Sequence, residues 1–190
     1  IPQAGRRLQL EQLREILSRE DVDAQPHGWM KDCLVLSGTG NLEQLPSFKE
    51  GLFYVQDPAS KLSVLCAELP REEIKVLDCC AAPGGKSFAA AIASGGKANI
   101  TSCDVYAHKA ELIANGAKRM GLLINAKQQD ATEYFPEWEQ LYDAVIVDAP
   151  CSGYGIIRKK PDIRYKNPET MQELPMLQLQ ILTGRTRSSL

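Results

Sequence analysis

The chain has 190 residues, 44% of them hydrophobic and 24% charged, with a net charge of −2. That length suits one domain with a real core, or one domain and part of another, and the composition is that of an ordinary globular protein. No run of 18 apolar residues is present, so no membrane span is expected, and a near-neutral charge confines any nucleic-acid contact to a local patch.

The six cysteines, Cys33, Cys66, Cys79, Cys80, Cys103 and Cys151, form no C-x-x-C pair, and His27 and His108 stand apart from them. No metal site is therefore expected. The N-terminus carries no secretion pattern, so the reading is a cytoplasmic protein with reduced thiols.

Along the chain, residues 8–20 place Leu10, Leu13, Ile16 and Leu17 at helical spacing. "CLVL" (33–36) is a short apolar piece among loop residues, and "GLFYVQD" (51–57) reads as a short strand. This first third, residues 1–50, reads as a small mixed module. From residue 51 to 190 the rhythm changes, the boundary falling between about residues 45 and 58.

A helix is expected over 59–69, a buried strand over 75–80 and an Ala-rich helix over 86–94. A strand over 99–104 follows, then a helix over 108–121 closed by Gly121, a weak strand over 124–130 and a strong buried one over 143–150. Strands alternating with helices imply an α/β fold with a mostly parallel sheet covered on both faces. Ligands bind beyond the carboxyl ends of such strands, and Asp78, Asp104, Asp130 and Asp148 all fall there. Each could also be a helix cap.

"CAAPGGKS" (80–87) joins the first of these strands to its helix. A phosphate-binding P-loop needs Gly where Cys80 stands, and Ala82-Pro83 stiffen the turn where a dinucleotide fingerprint needs Gly. What remains is a compact turn in which Gly84 and Gly85 let backbone N–H groups approach a ligand, or a tight turn that binds nothing. With Asp104 placed to accept from a ribose, the ligand that fits is S-adenosylmethionine: a carboxylate, a ribose and an adenine without phosphate.

"LDCCAAPGGKS" and "VDAPCSGYGIIRKKPDIRY" resemble the NOL1/NOP2/Sun family of RNA cytosine-5 methyltransferases. "NLEQLPSFKEGLFYVQDPAS" (41–60) resembles the segment ahead of the catalytic domain in the bacterial 16S rRNA members, the RsmB/Fmu (Sun) type. The likeness covers about residues 40–182. It implies a Rossmann-like class I S-adenosylmethionine-dependent methyltransferase fold, C-terminally incomplete, over 51–190, preceded by a partial RRM-like α+β module over 1–50. It further implies that Cys80, Ala81, Ala82, Pro83, Gly84, Gly85 and Lys86 line the cofactor, that Asp104 holds its ribose, that Asp130 lies near the adenine, and that Asp148 lies between cofactor and base. Lys86 reaches the methionine carboxylate or is a solvated first-turn lysine. Cys79 and Cys103 read as core residues, Trp138 as a core or surface aromatic, and His108 as a helix-surface residue.

"DAPCSG" (148–153) places an acid and a thiol three residues apart on a proline turn. Carbon 5 of cytosine is a poor nucleophile until a thiolate adds to carbon 6 and makes it enamine-like. An acid near N3 stabilises that adduct, and a base removes the carbon-5 proton. Asp148 and Cys151 are the catalytic candidates. In the DNA enzymes the Pro-Cys thiol attacks the base. In the RNA family it is held to assist product release, with a later Thr-Cys-Ser cysteine as nucleophile, and no Thr-Cys-Ser occurs in these 190 residues. The chain therefore reads as a fragment without turnover of its own. "RKKPDIRYK" (158–166) offers Arg158, Lys159, Lys160, Arg164 and Lys166 to RNA phosphates. Two other readings stand beside an rRNA methyltransferase: an inactive RNA-binding protein on the same fold, and a methyltransferase for small molecules or proteins.

Overall fold

The computed structural model describes residues 9–70, 72–158 and 160–186. Helix α1 (Leu10–Arg19) turns Leu13 and Leu17 inward, as its spacing predicts. They meet Val22 and Ala24 beside a hairpin of antiparallel β1 (Asp23–Pro26) and β2 (Leu34–Ser37), with Phe53 completing the cluster. Leu8, at the start of the expected helix, lies outside the described residues.

A one-turn helix α2 (Pro46–Lys49) leads into the segment over 51–57, which is not the strand expected. It pairs with no strand among the described residues. The Phe53 carbonyl instead accepts from the Arg119 guanidinium at 3.0 Å, and the Phe48 carbonyl accepts from the same Nη1 at 2.5 Å. Gly51 sits at φ +72, where a Cβ would fall 1.8 Å from the Arg119 carbonyl oxygen, so only glycine permits this approach.

Helix α3 (Pro58–Leu65), N-capped by Asp57, ends earlier than the sequence suggests. Then come β3 (Lys75–Asp78), α4 (Gly85–Ala93), β4 (Asn99–Asp104), α5 (Ala107–Met120) and β5 (Ile124–Gln128). The last strand and helix are β6 (Ala144–Ile146) and α6 (Leu174–Thr186). The four later strands form a parallel sheet in the order β5-β4-β3-β6. That is the Rossmann-like α/β arrangement expected from alternating strands and helices.

Strand periodicity of two sends alternate side chains to opposite faces. Val76 and Ile100 join Val64 of α3 and Ala89, Ala90 and Ala91 of α4 on one face. Leu77, Cys79 and Cys103 join Trp138, Tyr142 and Ile181 of α6 on the other. The Ala-rich sequence of α4 is what lets that helix lie close to the sheet. Cys79, Cys103 and Trp138 are core residues, and His108 lies on the surface.

One expectation needs correction. The run ending in DAP is neither long nor buried: β6 spans three residues, all half-buried. Among the described residues it stands last in the order and pairs only with β3, and the chain leaves it early to form the turn described next.

Candidate active site

Because all four strands run parallel, their carboxyl ends lie on one edge. Asp130, Asp104, Asp78 and Asp148 therefore follow one another across it in sheet order. Two turns rise from that edge, one after β3 and one after β6.

The first is Cys80–Gly84. The Ala81 N–H donates to the Cys103 carbonyl at 2.8 Å and the Gly84 N–H to the Ala81 carbonyl at 2.6 Å, around a cis Ala82–Pro83 bond. Ala81 is buried against Phe88, Ile113 and Ala117, whereas Ala82, Gly85 and Lys86 are half-buried and Pro83 is exposed. Gly84 holds φ +106, and a Cβ there would lie 2.5 Å from the Phe88 ring. Its need for glycine thus comes from backbone conformation and an aromatic floor. Gly85 is roofed by Gln56, whose carboxamide nitrogen would stand 3.4 Å from a Cβ at that position. The Tyr54 hydroxyl donates to Gln56 Oε1 at 2.9 Å, and the Tyr54 ring meets Phe88 edge-on. Gln56 and Tyr54 were not singled out from the sequence. The signal available was the "YVQD" run ahead of the sheet.

Asp104 is 7% exposed, and its Oδ1 accepts from the Tyr106 N–H at 3.1 Å, with the Lys109 ammonium 3.9 Å away. Its Oδ2 accepts no hydrogen bond among the described residues. Asp130 Oδ1 accepts from both the N–H and the hydroxyl of Thr132, at 2.8 and 2.7 Å, so this acid closes the turn that follows β5.

The second turn is "DAPCSG". Asp148 Oδ2 lies 2.5 Å from Lys86 Nζ, which ties the two turns together. The Pro150 carbonyl accepts from Gln178 of α6 at 2.8 Å. Cys151 is exposed. The basic segment lies directly against this turn. Ile163 is buried, and a Cβ on Gly153 would meet its Cδ1 at 3.2 Å, while the Lys166 ammonium donates to the Ser152 carbonyl at 3.1 Å. Arg158, Lys160 and Arg164 are exposed, and Lys159 lies outside the described residues. The Arg164 guanidinium centre sits 4.8 Å from the exposed Tyr165 ring.

Beneath the first turn is a cluster that sequence reading did not assemble. Ser102 Oγ donates to Ser87 Oγ, and Ser87 Oγ to Asp78 Oδ2, each at 2.7 Å. All three side chains are 0% exposed. Burial pushes the Asp78 carboxyl up to about 6, against the Ser87 hydrogen bond and the Lys86 charge, with Asp148 adding to the rise and the Cys80 backbone opposing it. No group of three or more metal-ligating side chains is present among the described residues.

The family model described as 16S rRNA methyltransferase RsmB/F matches residues 66–188. The chain belongs to that family. The probable ribosomal RNA small subunit methyltransferase B of Bacillus subtilis is 36% identical over 174 residues, or 90% of this chain and 38% of that one. The ribosomal RNA small subunit methyltransferase B of Citrobacter koseri is 34% identical over 170 residues, 88% of this chain and 39% of its own. This RsmB/F member thus spans under two fifths of these relatives. Among solved structures, the one titled crystal structure of PH0851 superposes with a TM-score of 0.88 at 27% identity, over 98% of this chain and 42% of that one. A methyltransferase homolog protein from Pyrococcus horikoshii shares the fold at a TM-score of 0.70 and 21% identity, over 94% and 56%. The two turns, "CAAPGGKS" and "DAPCSG", both lie inside the matched region.

Proposed function

We propose that this chain carries the cofactor- and base-facing part of a 16S rRNA methyltransferase that modifies carbon 5 of cytosine, with S-adenosylmethionine as methyl donor. The observation that carries the reading is the junction at the sheet edge: Lys86, in the first turn of α4 directly after Cys80–Gly84, grips Asp148 from the second turn, with Cys151 exposed three residues on.

The residues present fit the cofactor. Asp104 has one oxygen fixed by backbone and one open to ribose hydroxyls. Cys80 to Lys86 offer a turn ahead of the α4 N-terminus, favourable for a carboxylate. Asp130 flanks the same edge on the adenine side. S-adenosylmethionine supplies an electrophilic methyl group on a sulfonium. In this reading Asp148 meets the amidine edge of the cytosine and stabilises the adduct formed when a thiolate adds to carbon 6. After methyl transfer the carbon-5 proton leaves to a base and the thiolate is expelled. Cys151 assists that release, and the attacking thiol belongs to the family's Thr-Cys-Ser motif. Arg158, Lys159, Lys160, Arg164 and Lys166 hold the RNA backbone, although Lys166 also braces the Ser152 carbonyl. Residues 1–50 act as an RRM-like module, 51–190 as the methyltransferase domain, and the protein works in the cytoplasm on ribosomal RNA. No helix among the described residues is long and apolar enough to cross a membrane.

The test is tritium release. RNA carrying cytidine tritiated at carbon 5 should lose its label, in step with methyl incorporation, to the longest gene product that includes this region. Methyl incorporation with the tritium retained places the chemistry at another atom and ends the cytosine-5 reading. A second reading, RNA binding without catalysis, is favoured by the absence of Thr-Cys-Ser from these residues. It predicts RNA binding with neither tritium release nor methyl incorporation.

A further inference from the structure

Buried carboxylates are costly, and natural proteins keep them where their charge or geometry serves something. Asp78 is such a group. It is fully buried at the end of β3, and its Oδ1 accepts no hydrogen bond among the described residues. Its other oxygen ends a one-way relay in which Ser102 donates to Ser87 and Ser87 to Asp78. Ser87 belongs to the first turn of α4 and Ser102 to β4, so the relay joins three elements at the base of the Cys80–Gly84 turn. The charged groups that act on Asp78 are Lys86 from α4 and Asp148 from the turn after β6, while β4 presents the Ser102 hydroxyl.

We propose that Asp78 is a positioning residue for cofactor binding: through Ser87 and Ser102 it fixes the first turn of α4, and with it Cys80–Gly84, in the conformation that receives the ligand. The inference rests on the cofactor reading above.

The relay works best with the carboxylate ionised, because a hydrogen bond to a charged acceptor is stronger than one to a neutral acid. Protonation weakens the hold on Ser87 and loosens the start of α4. The Asp78 carboxyl, held near 6 by burial, changes charge within a range where the cofactor can be titrated. Cofactor affinity should therefore fall as Asp78 gains its proton. Lys86 and Asp148 also face the ligand, so only a comparison with a variant lacking the Asp78 proton isolates this contribution.

The experiment is calorimetric titration of S-adenosylmethionine into the parent chain, Asp78→Asn and Ser87→Ala between about pH 5 and about pH 7.5, a span chosen to bracket a raised carboxyl. The parent should lose at least about threefold in affinity on acidification, as expected for one hydrogen bond losing its charge assistance. At the upper pH both variants should bind at least about threefold more weakly, and Asp78→Asn should lose the acid-side decline. If Asp78→Asn does not fold, Ser87→Ala carries the test, since it keeps the acid and cuts the link. Parent-like affinity in the variants, or weaker binding with the parent's pH profile intact, overturns the inference and leaves the cofactor reading standing. No binding by the folded parent overturns that reading, and the inference falls with it.

Discussion

Lys86 and Asp148, 62 residues apart in sequence, meet at 2.5 Å and so tie the first turn of α4 to the turn after β6. The Asp148 side chain is 57% exposed, so this pair contributes little to folding, roughly 0–1 kcal/mol. The pair holds Asp148 beside the first turn of α4, the placement on which the proposed function depends. A double-mutant cycle with Lys86→Ala and Asp148→Ala should give a coupling below about 1 kcal/mol in urea unfolding. In methyl transfer by the longest gene product, the same cycle should be strongly non-additive, each single change removing most of the rate. Large coupling in stability with additive effects on rate would make the pair a structural staple.

Gly84 is a position where glycine is required. At φ +106, with the Phe88 ring 2.5 Å from any added Cβ, a branched side chain meets both backbone strain and a clash. Gly84→Val should destabilise the fold by roughly 2–4 kcal/mol, and cofactor binding should weaken by at least about tenfold in whatever protein remains folded. Urea unfolding reads the first and calorimetry the second. A variant as stable as the parent would contradict the geometry. Gly85→Ala, facing only the tip of Gln56 at 3.4 Å, should be far milder.

Asp104, proposed above to hold the ribose, also accepts through Oδ1 from the Tyr106 N–H at the entrance to α5. Asp104→Ala loses that hydrogen bond, costing about 0.5–1.5 kcal/mol of stability, as well as any ribose contact. Asp104→Asn can keep the hydrogen bond to the Tyr106 N–H. It should fold like the parent and bind S-adenosylmethionine about tenfold more weakly, as expected for one charge-assisted hydrogen bond. Equal affinities in calorimetry would remove Asp104 from the cofactor site.

Asp78 also sets a pH dependence of stability. Its carboxyl lies near 6 in the folded chain against 3.8 as the ordinary value. Between those two values the folded state binds more protons, so this residue's contribution to stability is full below about pH 4 and is lost as pH rises through about 6. Urea unfolding of the parent minus that of Asp78→Asn should show this decline over that window. A difference that grows with pH instead would mean that the acid is stabilised as an anion.

The sequence made the sheet legible because its strands are short, apolar and separated by Gly-closed helices. β4, over 99–104, falls where expected to the residue. The strand-like run 51–57 misled because Phe53 and Tyr54 bury their rings without any partner strand, Phe53 in the first core cluster and Tyr54 against Phe88. β6 misled in the opposite way: four apolar residues read as a buried strand, yet the strand lies at the edge of the sheet. The two motif turns and all four strand-end acids could be marked from local spacing. The Asp78–Ser87–Ser102 relay, Gln56 over Gly85 and Ile163 against Gly153 could not, since each depends on tertiary contact between segments that carry no mutual signature in one sequence.

The role of Cys151 tests the account most directly. Cys151→Ala in the longest gene product that carries this region should be incubated with S-adenosylmethionine and labelled 16S rRNA, then run on a denaturing gel. If Cys151 serves release, a covalent protein–RNA adduct accumulates, because addition and methyl transfer proceed while elimination stalls. If no adduct forms and methylation is abolished, Cys151 is itself the attacking thiol, and the division of labour proposed here is wrong.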